Sequence, residues 1–383
     1  MKITRVTATP VTVGLLRPAA TAMGSGTAIT RTLVQIDTDV GLTGLGETAG
    51  AAAATLIGER FGPRVSGLDP RERETVRRAC LPVFNDYGTP HHASDVAAFS
   101  GLEMALWDLL GKALELPLYK VLGGAVRDRA PFVAYAFAPE LGAAGSEADV
   151  PDTLGEIARE QVALTGADMF EFKVARYSLD CDIAAVHAVR AAVGPDVAIG
   201  VDANMRYSVD DARRFLTATA GAGLANIEEP CATLADCARL RRDFGVPVST
   251  HCTDMDALAA HPDIDSVVGA VDAQGGIAGT LELALAAATL GRRYWLRSCV
   301  ELGVAWAAMV HLGMACAILD RPAQALMQWI EDDLVAGPAW TVYEGGCRPP
   351  ETPGLGVELD GDAFQRHAEL FASEGEKTYF DDA

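Results

Sequence analysis

The chain has 383 residues, a formal net charge of -21 and 50% hydrophobic residues. This length allows two domains or one large barrel with additions, and the composition provides for a sizeable core. The acidic balance excludes nucleic acid and anionic membrane surfaces as partners, because both bind basic patches. The longest apolar runs are interrupted too soon to span a bilayer.

The 8 cysteines are scattered along the chain, and none forms a Cys-x-x-Cys pair. A structural zinc knuckle is therefore not expected. The N-terminus alternates like a strand and lacks the continuous apolar core of a signal peptide. Reduced thiols and the missing signal core together predict a cytoplasmic protein.

The first part of the chain combines strands with helices. Residues 2–13 predict a first strand, and two alternating runs around Asp39-Val40-Gly41 predict a hairpin. Apolar residues then recur at helical spacing. The helices predicted in this way are Ala51–Glu59, Pro70–Leu81 and Ser94–Leu114. This succession predicts an α+β domain over residues 1–125.

From Ala130 onward, short apolar strands alternate with helices. Eight strands separated by helices predict a modified (β/α) barrel over residues 126–349, with its chemistry at the C-terminal strand ends. A doubly wound sheet is the rival fold, but no Gly-rich phosphate loop opens the first helix. Residues 350–383 are predicted to return to the first domain. The strand candidates are Phe132–Phe137, Met169–Val174, Ala198–Val201, Ala225–Ile227, Val246–Ser249, Ser266–Ala270, Tyr294–Leu296 and Ala325–Ile330.

Carboxylates follow two successive strands of this predicted barrel. Asp202 ends one apolar run and Glu228 ends the next. A carboxylate just past a buried strand is poorly placed for packing and well placed to hold a cation. The pair therefore predicts a divalent metal site at the barrel mouth.

An ordered set of motifs resembles the enolase superfamily, in its mandelate racemase and muconate-lactonizing branch. The resemblance implies an α+β capping domain over a modified (β/α) TIM-type barrel. It also implies Mg²⁺ and removal of a proton next to a carboxylate. The motifs that carry it are Thr32–Glu47, Glu103–Lys112, Pro117–Gly124, Phe172–Val174, Asp202–Asn204, Ile227–Pro230 and Pro353–Val357.

The resemblance matches Asp202 and Glu228 to the first two metal ligands of the family. His251 stands at the third position, where the family usually has Asp, Glu or Asn. Imidazole is a softer ligand, which shifts the preference toward Mn²⁺, Fe²⁺ or Zn²⁺. Two alternatives stay open: Asp254 supplies the third oxygen, or His251 is not a ligand.

The resemblance also matches Lys173 to the proton-abstracting base. Many relatives carry Lys-x-Lys at this strand end, whereas this chain reads Glu171-Phe172-Lys173. Residues two apart share a strand face, so Glu171 is expected to raise the pKa of Lys173. A structural ion pair between Glu171 and Lys173 is the alternative.

The other catalytic positions are less complete. Asp272 lies near the sixth-strand Asp of the racemase branch, but the His that partners it is missing, as is the sixth-strand Lys of the muconate branch. Glu301 resembles the seventh-strand Glu of the muconate branch and is a candidate acid. Glu331 resembles the eighth-strand Glu that binds the substrate carboxylate, and Asn204 is the other candidate for substrate binding.

With one clear base, the sequence predicts dehydration of a hydroxy or sugar acid by a metal-dependent lyase. A racemase, epimerase or cycloisomerase of the same superfamily is the first alternative, and a catalytically degenerate barrel that binds a ligand is the second. The expected substrate is a small carboxylate. Its identity is expected to depend on the shape of the capping loops near Arg17–Thr30 and Phe84–His92. Relatives often assemble, so a homo-oligomer is expected.

Overall fold

The computed structural model describes residues 1–81, 91–141, 145–336 and 341–378. Its N-terminal part contains an antiparallel sheet in the order β1-β2-β3. The turn between β2 and β3 places Gly41 at φ 80°, a conformation that glycine adopts without strain. The predicted hairpin is therefore confirmed. The strands are β1 (Ile3–Gly14), β2 (Ala28–Thr38) and β3 (Thr43–Ala49).

In the described part of residues 1–125, five helices accompany this sheet, and the longest of them, α4, packs on β3 and β2. Two glycines of β3 permit the close approach. A Cβ atom on Gly46 would lie 1.9 Å from the carbonyl oxygen of Gly101, and one on Gly44 would lie 2.3 Å from that of Ala105. The helices are α1 (Ala52–Thr55), α2 (Gly62–Val65), α3 (Arg73–Cys80), α4 (Ala93–Ala113) and α5 (Leu118–Val121), with a π-helical segment, Leu56–Phe61, joining α1 to α2.

Seven parallel strands form the second sheet, in the order β11-β10-β9-β8-β7-β6-β5. Sequential neighbours joined by helical crossovers are the arrangement expected of a (β/α) barrel. A short pair, β4 (Ala130–Pro131) with β12 (Gly346–Cys347), lies outside this sheet. The parallel strands are β5 (Ala134–Ala136), β6 (Met169–Lys173), β7 (Ala198–Asp202), β8 (Leu224–Glu228), β9 (Val248–Thr250), β10 (Ser266–Gly269) and β11 (Arg293–Leu296).

Helices cover the outside of the sheet, and several begin at a side-chain cap. Ser208 is one example, because its hydroxyl accepts a 3.1 Å hydrogen bond from the Asp211 N–H, as its position before the predicted helix indicated. The helices are α6 (Val150–Thr165), α7 (Leu179–Val193), α8 (Val209–Ala218), α9 (Leu234–Phe244), α10 (Met255–Ala260), α11 (Gly276–Thr289), α12 (Gly303–Ala315) and α13 (Gly361–Glu374).

The eighth predicted strand, Ala325–Ile330, is wrong. This segment contains a 3₁₀ helix at Met327–Trp329. Its backbone bonds go to the end of β1 instead of to barrel strands: Leu16 N–H donates to Trp329 O over 2.8 Å. Apolar alternation alone did not distinguish a buried irregular segment from a strand.

The barrel is nevertheless closed one step earlier in the chain. The N–H of Val133 donates to Ala323 O over 2.9 Å, and the N–H of Gln324 donates to Leu296 O over 2.9 Å. Residues 323–324 therefore bridge the first and last parallel strands and occupy the eighth position of the ring.

The C-terminal segment lies against the N-terminal sheet. Helix α13 packs on β1, and the N–H of Lys377 donates to the Thr30 hydroxyl over 2.8 Å. The division into residues 1–125, 126–349 and 350–383 stays a prediction. Within the described ranges, no helix combines the length and the apolar character needed to cross a membrane.

Candidate metal centre and active site

Three predicted metal ligands meet at the ends of three neighbouring strands. Asp202 ends β7, Glu228 ends β8, and His251 follows β9. One ligand atom from each lies within 4.8 Å of the others. We call Asp202, Glu228, His251 and Lys173 the mouth cluster. Their convergence follows from the parallel register, which places Asp202 directly beside Glu228.

His251 faces Glu228, with 3.0 Å between its Nε2 and the Glu228 Oε1. Burial lowers the pKa of His251, but the Glu228 carboxylate outweighs this and leaves that pKa raised. Asp254, the alternative third ligand, caps helix α10 instead: its Oδ1 accepts hydrogen bonds of 3.0 and 3.1 Å from the N–H groups of Asp256 and Ala257. Asp254 is exposed and lies outside the group of converging ligand atoms, which His251 completes.

Lys173, at the end of β6, is paired with Asp202 through its Nζ atom. Burial lowers the pKa of Lys173, and the carboxylates of Asp202 and Glu228 more than offset that effect, so the pKa is raised. Asn204 also binds Asp202, since its Nδ2 donates to Oδ2 over 3.0 Å. The alternative of an ion pair between Glu171 and Lys173 is not formed.

Glu171 lies behind the mouth cluster and is completely buried. Its Oε1 accepts a 2.5 Å hydrogen bond from Gln324 Nε2. Burial raises its pKa far above the usual value, and the neighbouring carboxylates of Glu228 and Asp202 raise it further. Its charge is also among those that raise the pKa of Lys173, in the direction expected from the sequence.

The donor set fits a small divalent cation. The carboxylates of Asp202 and Glu228 and the imidazole of His251 place their ligand atoms around one small volume. Three buried side-chain atoms around them, Oε2 of Glu171, Oδ1 of Asn204 and Nδ1 of His251, lack a hydrogen-bond partner. Oxygen donors with one imidazole suit Mg²⁺ or Mn²⁺.

Glu301 does not line the cavity itself. It is buried, and its Oε2 accepts a hydrogen bond from the hydroxyl of Ser298, which does line the cavity. Its Oε1 accepts a 2.6 Å bond from the Cys299 N–H. Burial, reinforced by Asp272, raises the pKa of Glu301 to about 7.

Glu331, predicted to bind substrate, is not brought to the mouth cluster. Its N–H donates to Gly14 O over 2.9 Å, which ties the residue to the end of β1. The side chain is exposed and lines a separate cavity of about 590 Å³ beside Trp306 and Asp360. Asn204, by contrast, lines the cavity at the barrel mouth.

A second cluster of buried charge joins the N-terminal sheet to the barrel. Arg31 of β2 donates to Glu47 Oε1 over 2.8 Å and to Asp272 Oδ2 over 2.7 Å. Glu47 also accepts 2.9 Å bonds from the N–H groups of Leu302 and Ala305, at the start of helix α12. We call Arg31, Glu47, Asp272 and Glu301 the interface cluster.

The cavity above the mouth cluster has a volume of about 570 Å³, a size typical of small-molecule sites. Its walls come from all three predicted parts of the chain. The first part supplies Met23, Ile29 and Arg31, the barrel supplies its strand ends, and the C-terminal segment supplies Lys377. Of the two loops predicted to shape specificity, the first lines this cavity, while residues 84–90 of the second lie outside the described residues.

Two family models match this chain. One, described as mandelate racemase / muconate lactonizing enzyme, N-terminal domain, matches residues 3–123. The other, described as enolase C-terminal domain-like, matches residues 153–363, which is more than half of the chain. The chain belongs to the mandelate racemase / muconate lactonizing enzyme family of the enolase superfamily.

Solved structures of the superfamily share the fold over nearly the whole chain. A putative sugar isomerase of Streptomyces coelicolor is 31% identical, with a TM-score of 0.88 over 98% of this chain and 99% of that one. An enolase of Pseudomonas fluorescens with bound magnesium, potassium and tartrate is 26% identical, with a TM-score of 0.87 over 99% of this chain and 95% of that one.

Curated relatives catalyse more than one reaction. A probable glucarate dehydratase of Streptomyces coelicolor is 28% identical over 359 residues, 86% of this chain and 82% of its own length. A chloromuconate cycloisomerase of Pseudomonas putida is 24% identical over 384 residues, 95% of this chain and 98% of its own length. The chain is therefore an enzyme whose relatives include both lyases and isomerases.

Three residues of the site were missed from the sequence. Gln324 donates a hydrogen bond to Glu171, Tyr135 lines the cavity beside the mouth cluster, and Arg31 forms an ion pair with Asp272. There was one weak indication for Arg31 in the sequence, because it is a charged residue among the mostly apolar and uncharged polar residues of β2. Nothing in the spacing of residues 31 and 272 indicated that they meet.

Proposed function

We propose that this enzyme removes the proton α to the carboxylate of a hydroxy or sugar acid and then expels the β-hydroxyl as water. The observation that carries this is the mouth cluster. Its converging ligand atoms lie within 4.8 Å of one another, and Lys173, which is paired with Asp202, lines the same cavity. Neighbours crystallised with magnesium, tartrate and formate support a small carboxylate as the ligand.

Asp202, Glu228 and His251 would hold the cation, with Mg²⁺ as the first candidate and Mn²⁺ as the second. When bound, a divalent ion supplies electrostatic stabilisation of the second negative charge that develops on the substrate carboxylate. Asn204 fixes the orientation of Asp202 through hydrogen bonds from its N–H and its side-chain amide, at 2.8 and 3.0 Å. The side-chain amide of Gln324 donates to Glu228 Oε2 over 3.4 Å and to Glu171 Oε1 over 2.5 Å.

Lys173 is the general base of the proposal. A base must be neutral, whereas the carboxylates beside Lys173 favour its ammonium form. Carboxylates engaged as metal ligands no longer stabilise that ammonium, so the pKa of Lys173 is expected to fall when the site is loaded. Lys173 then accepts the α proton and can return it to solvent through the cavity.

Expulsion of the β-hydroxyl requires a proton. Ser298 faces the cavity and donates a hydrogen bond to Glu301 behind it. With its pKa raised to about 7, Glu301 is partly protonated at neutral pH and can pass a proton through the Ser298 hydroxyl to the leaving oxygen. The α C–H and β C–O bonds break, and an enol forms that tautomerises to the 2-keto acid.

The opposite face of the cavity disfavours racemisation. A second base there would require a His partnered by Asp272, but Asp272 is bound to Arg31 at 2.7 Å. Cycloisomerisation needs one base only, so it is the reaction that the product assay must distinguish from dehydration.

The test is a panel of hydroxy and sugar acids incubated with the enzyme and Mg²⁺ in D₂O. We expect a 2-keto acid product, and we expect Lys173→Met to lower its rate about 10³- to 10⁴-fold, as for loss of a general base. The product is identified by NMR and by reaction with semicarbazide. Epimerised substrate, or a lactone, without any keto acid would contradict dehydration.

Lys120→Met is the matched control. Lys120 is a half-exposed lysine paired with Glu351, and it lies outside the residues that line the cavity. Its variant should turn over substrate like the wild type. A degenerate, ligand-binding barrel is tested separately, because it predicts no thermal stabilisation by Mg²⁺ or Mn²⁺.

A further inference from the structure

The cavity contains one cation that differs from the others. Lys173 is paired with Asp202, Arg31 with two carboxylates, and Lys377 with Glu374 at 3.6 Å. Arg297 also lines the cavity, yet no carboxylate of the described chain lies within ion-pair distance of its guanidinium. The side-chain contact that it does make is with the sulfur of Cys299.

Arg297 is held in place by the barrel. It directly follows β11, and its N–H donates to Gly269 O over 2.7 Å, at the end of β10. Strands β7 and β11 are four positions apart in a ring that residues 323–324 complete as the eighth member. Arg297 therefore lies across the mouth from Asp202.

Charges near Arg297 explain why its guanidinium remains available. Asp272 interacts electrostatically with Arg297: burial raises the pKa of Asp272, but the charges of Arg31 and then of Arg297 outweigh this and leave that pKa lowered. The Asp272 Oδ2 is already bound to Arg31. The charge of Arg297 also disfavours the protonated form of His251. Within the described ranges, no carboxylate is paired with the guanidinium.

We propose that Arg297 binds a second acidic group at the far end of the substrate, so that the preferred substrates are hydroxy dicarboxylates. This inference rests on the proposed function, which places the first carboxylate at the mouth cluster. A guanidinium presents two parallel N–H groups that match the two oxygens of a carboxylate.

The experiment compares matched pairs of acids that differ only in the terminal group: glucarate with gluconate, and galactarate with galactonate. Dissociation constants are measured by calorimetry in the presence of Mg²⁺. The wild type should bind at least one dicarboxylate more tightly than its partner. Arg297→Gln should weaken that binding roughly 10- to 100-fold, the usual range for a lost charge-assisted hydrogen bond, and leave monocarboxylate binding unchanged.

Arg297→Lys should restore part of the lost affinity, because it keeps the charge but not the fork. Arg293→Gln is the matched control: it removes the same charge from β11, where Arg293 pairs with Asp320 at 3.0 Å on the surface, and should bind like the wild type. Equal binding of both members of every pair, or equal weakening of both by Arg297→Gln, would overturn the assignment.

Binding and turnover separate the two proposals. Dicarboxylate binding that depends on Arg297, with no keto acid formed from any substrate, would leave Arg297 assigned and would contradict dehydration. Keto acid formed equally well from monocarboxylates and dicarboxylates, with no effect of Arg297→Gln, would leave dehydration in place and reject the role of Arg297.

Discussion

The mouth cluster and the interface cluster are built from similar residues but are used differently. Each contains buried carboxylates and one permanent or near-permanent cation. Only the mouth cluster, among the described residues, brings three ligand atoms within 4.8 Å of one another in an arrangement that can hold a metal ion. Acidic residues in a buried place are therefore insufficient to define a metal site.

The difference lies in what each oxygen faces. In the interface cluster, Glu47 accepts hydrogen bonds from Arg31 and from two backbone N–H groups at the start of helix α12. Its oxygens are occupied, and the helix dipole adds to their stabilisation. In the mouth cluster the strand ends leave ligand atoms directed toward one volume. A metal site is therefore distinguished from a structural ion pair by ligand atoms that converge on an open volume, and not by the number of acidic residues.

The two clusters should differ most in their response to the loss of a metal ligand through Glu228→Gln. The amide has lost the anionic oxygen, so we expect Mg²⁺ affinity to fall at least about 100-fold and keto-acid formation to fall about 1000-fold. Calorimetric titration of the metal-free protein with Mg²⁺ measures the first quantity, and the NMR product assay measures the second.

Asp272→Asn is the matched control from the interface cluster. It removes a buried carboxylate of equal charge, and Mg²⁺ affinity should stay at the wild-type value. Undiminished Mg²⁺ binding by the Glu228 variant, or lost binding by the Asp272 variant, would show that the two clusters had been assigned the wrong way round.

The mouth cluster was largely predictable and the interface cluster was not, for a physical reason. Asp202 and Glu228 end adjacent parallel strands, so the order of the chain determines that they are neighbours. Arg31 and Asp272 meet only because the N-terminal sheet docks on the barrel, and no local pattern encodes that docking. Glu331 was misplaced for the same reason, since its segment pairs with β1.

Most of the fold could be predicted from hydrophobic periodicity, but two features could not. The apolar run after Ala323 has strand-like composition, yet its backbone forms hydrogen bonds with the N-terminal segment and not with a barrel strand. Closure of the ring instead depends on two residues, 323 and 324, which are too few to give a periodic signal.

Arg31→Met should have the next largest effect, on stability. Removing the guanidinium leaves Glu47 and Asp272 buried without their cation, which typically costs about 3 to 5 kcal/mol. The free energy of unfolding is measured by urea denaturation of the metal-free protein. Mg²⁺ affinity of the folded variant should be unchanged, because the mouth cluster does not include Arg31.

Arg71→Met is the control for that variant. Arg71 forms an ion pair with Asp69 at the surface, where solvent screens the interaction, so the urea midpoint should not move. An Arg31 variant as stable as the wild type would mean that the interface cluster does not tie the N-terminal sheet to the barrel.

A weaker effect, on the pH dependence of stability, is expected from the carboxyl groups of the interface cluster. Three carboxylates share one guanidinium there, and burial raises the pKa of both Glu47 and Glu301 to about 7. A carboxyl group whose pKa is raised on folding stabilises the protein fully below its unfolded value. That contribution is lost as the pH rises through about 7, and it amounts to at most about 3 kcal/mol.

We therefore expect the urea midpoint of the metal-free protein to fall between pH 5 and pH 8. Glu301→Gln should reduce this fall, because the amide imitates the protonated acid: it can accept from the Cys299 N–H and donate to Ser298. A Glu301 variant that keeps the full pH dependence would show that Glu47, and not Glu301, binds the proton. Since Glu47 already accepts three hydrogen bonds as a carboxylate, Glu301 is the residue on which we expect the proton to reside.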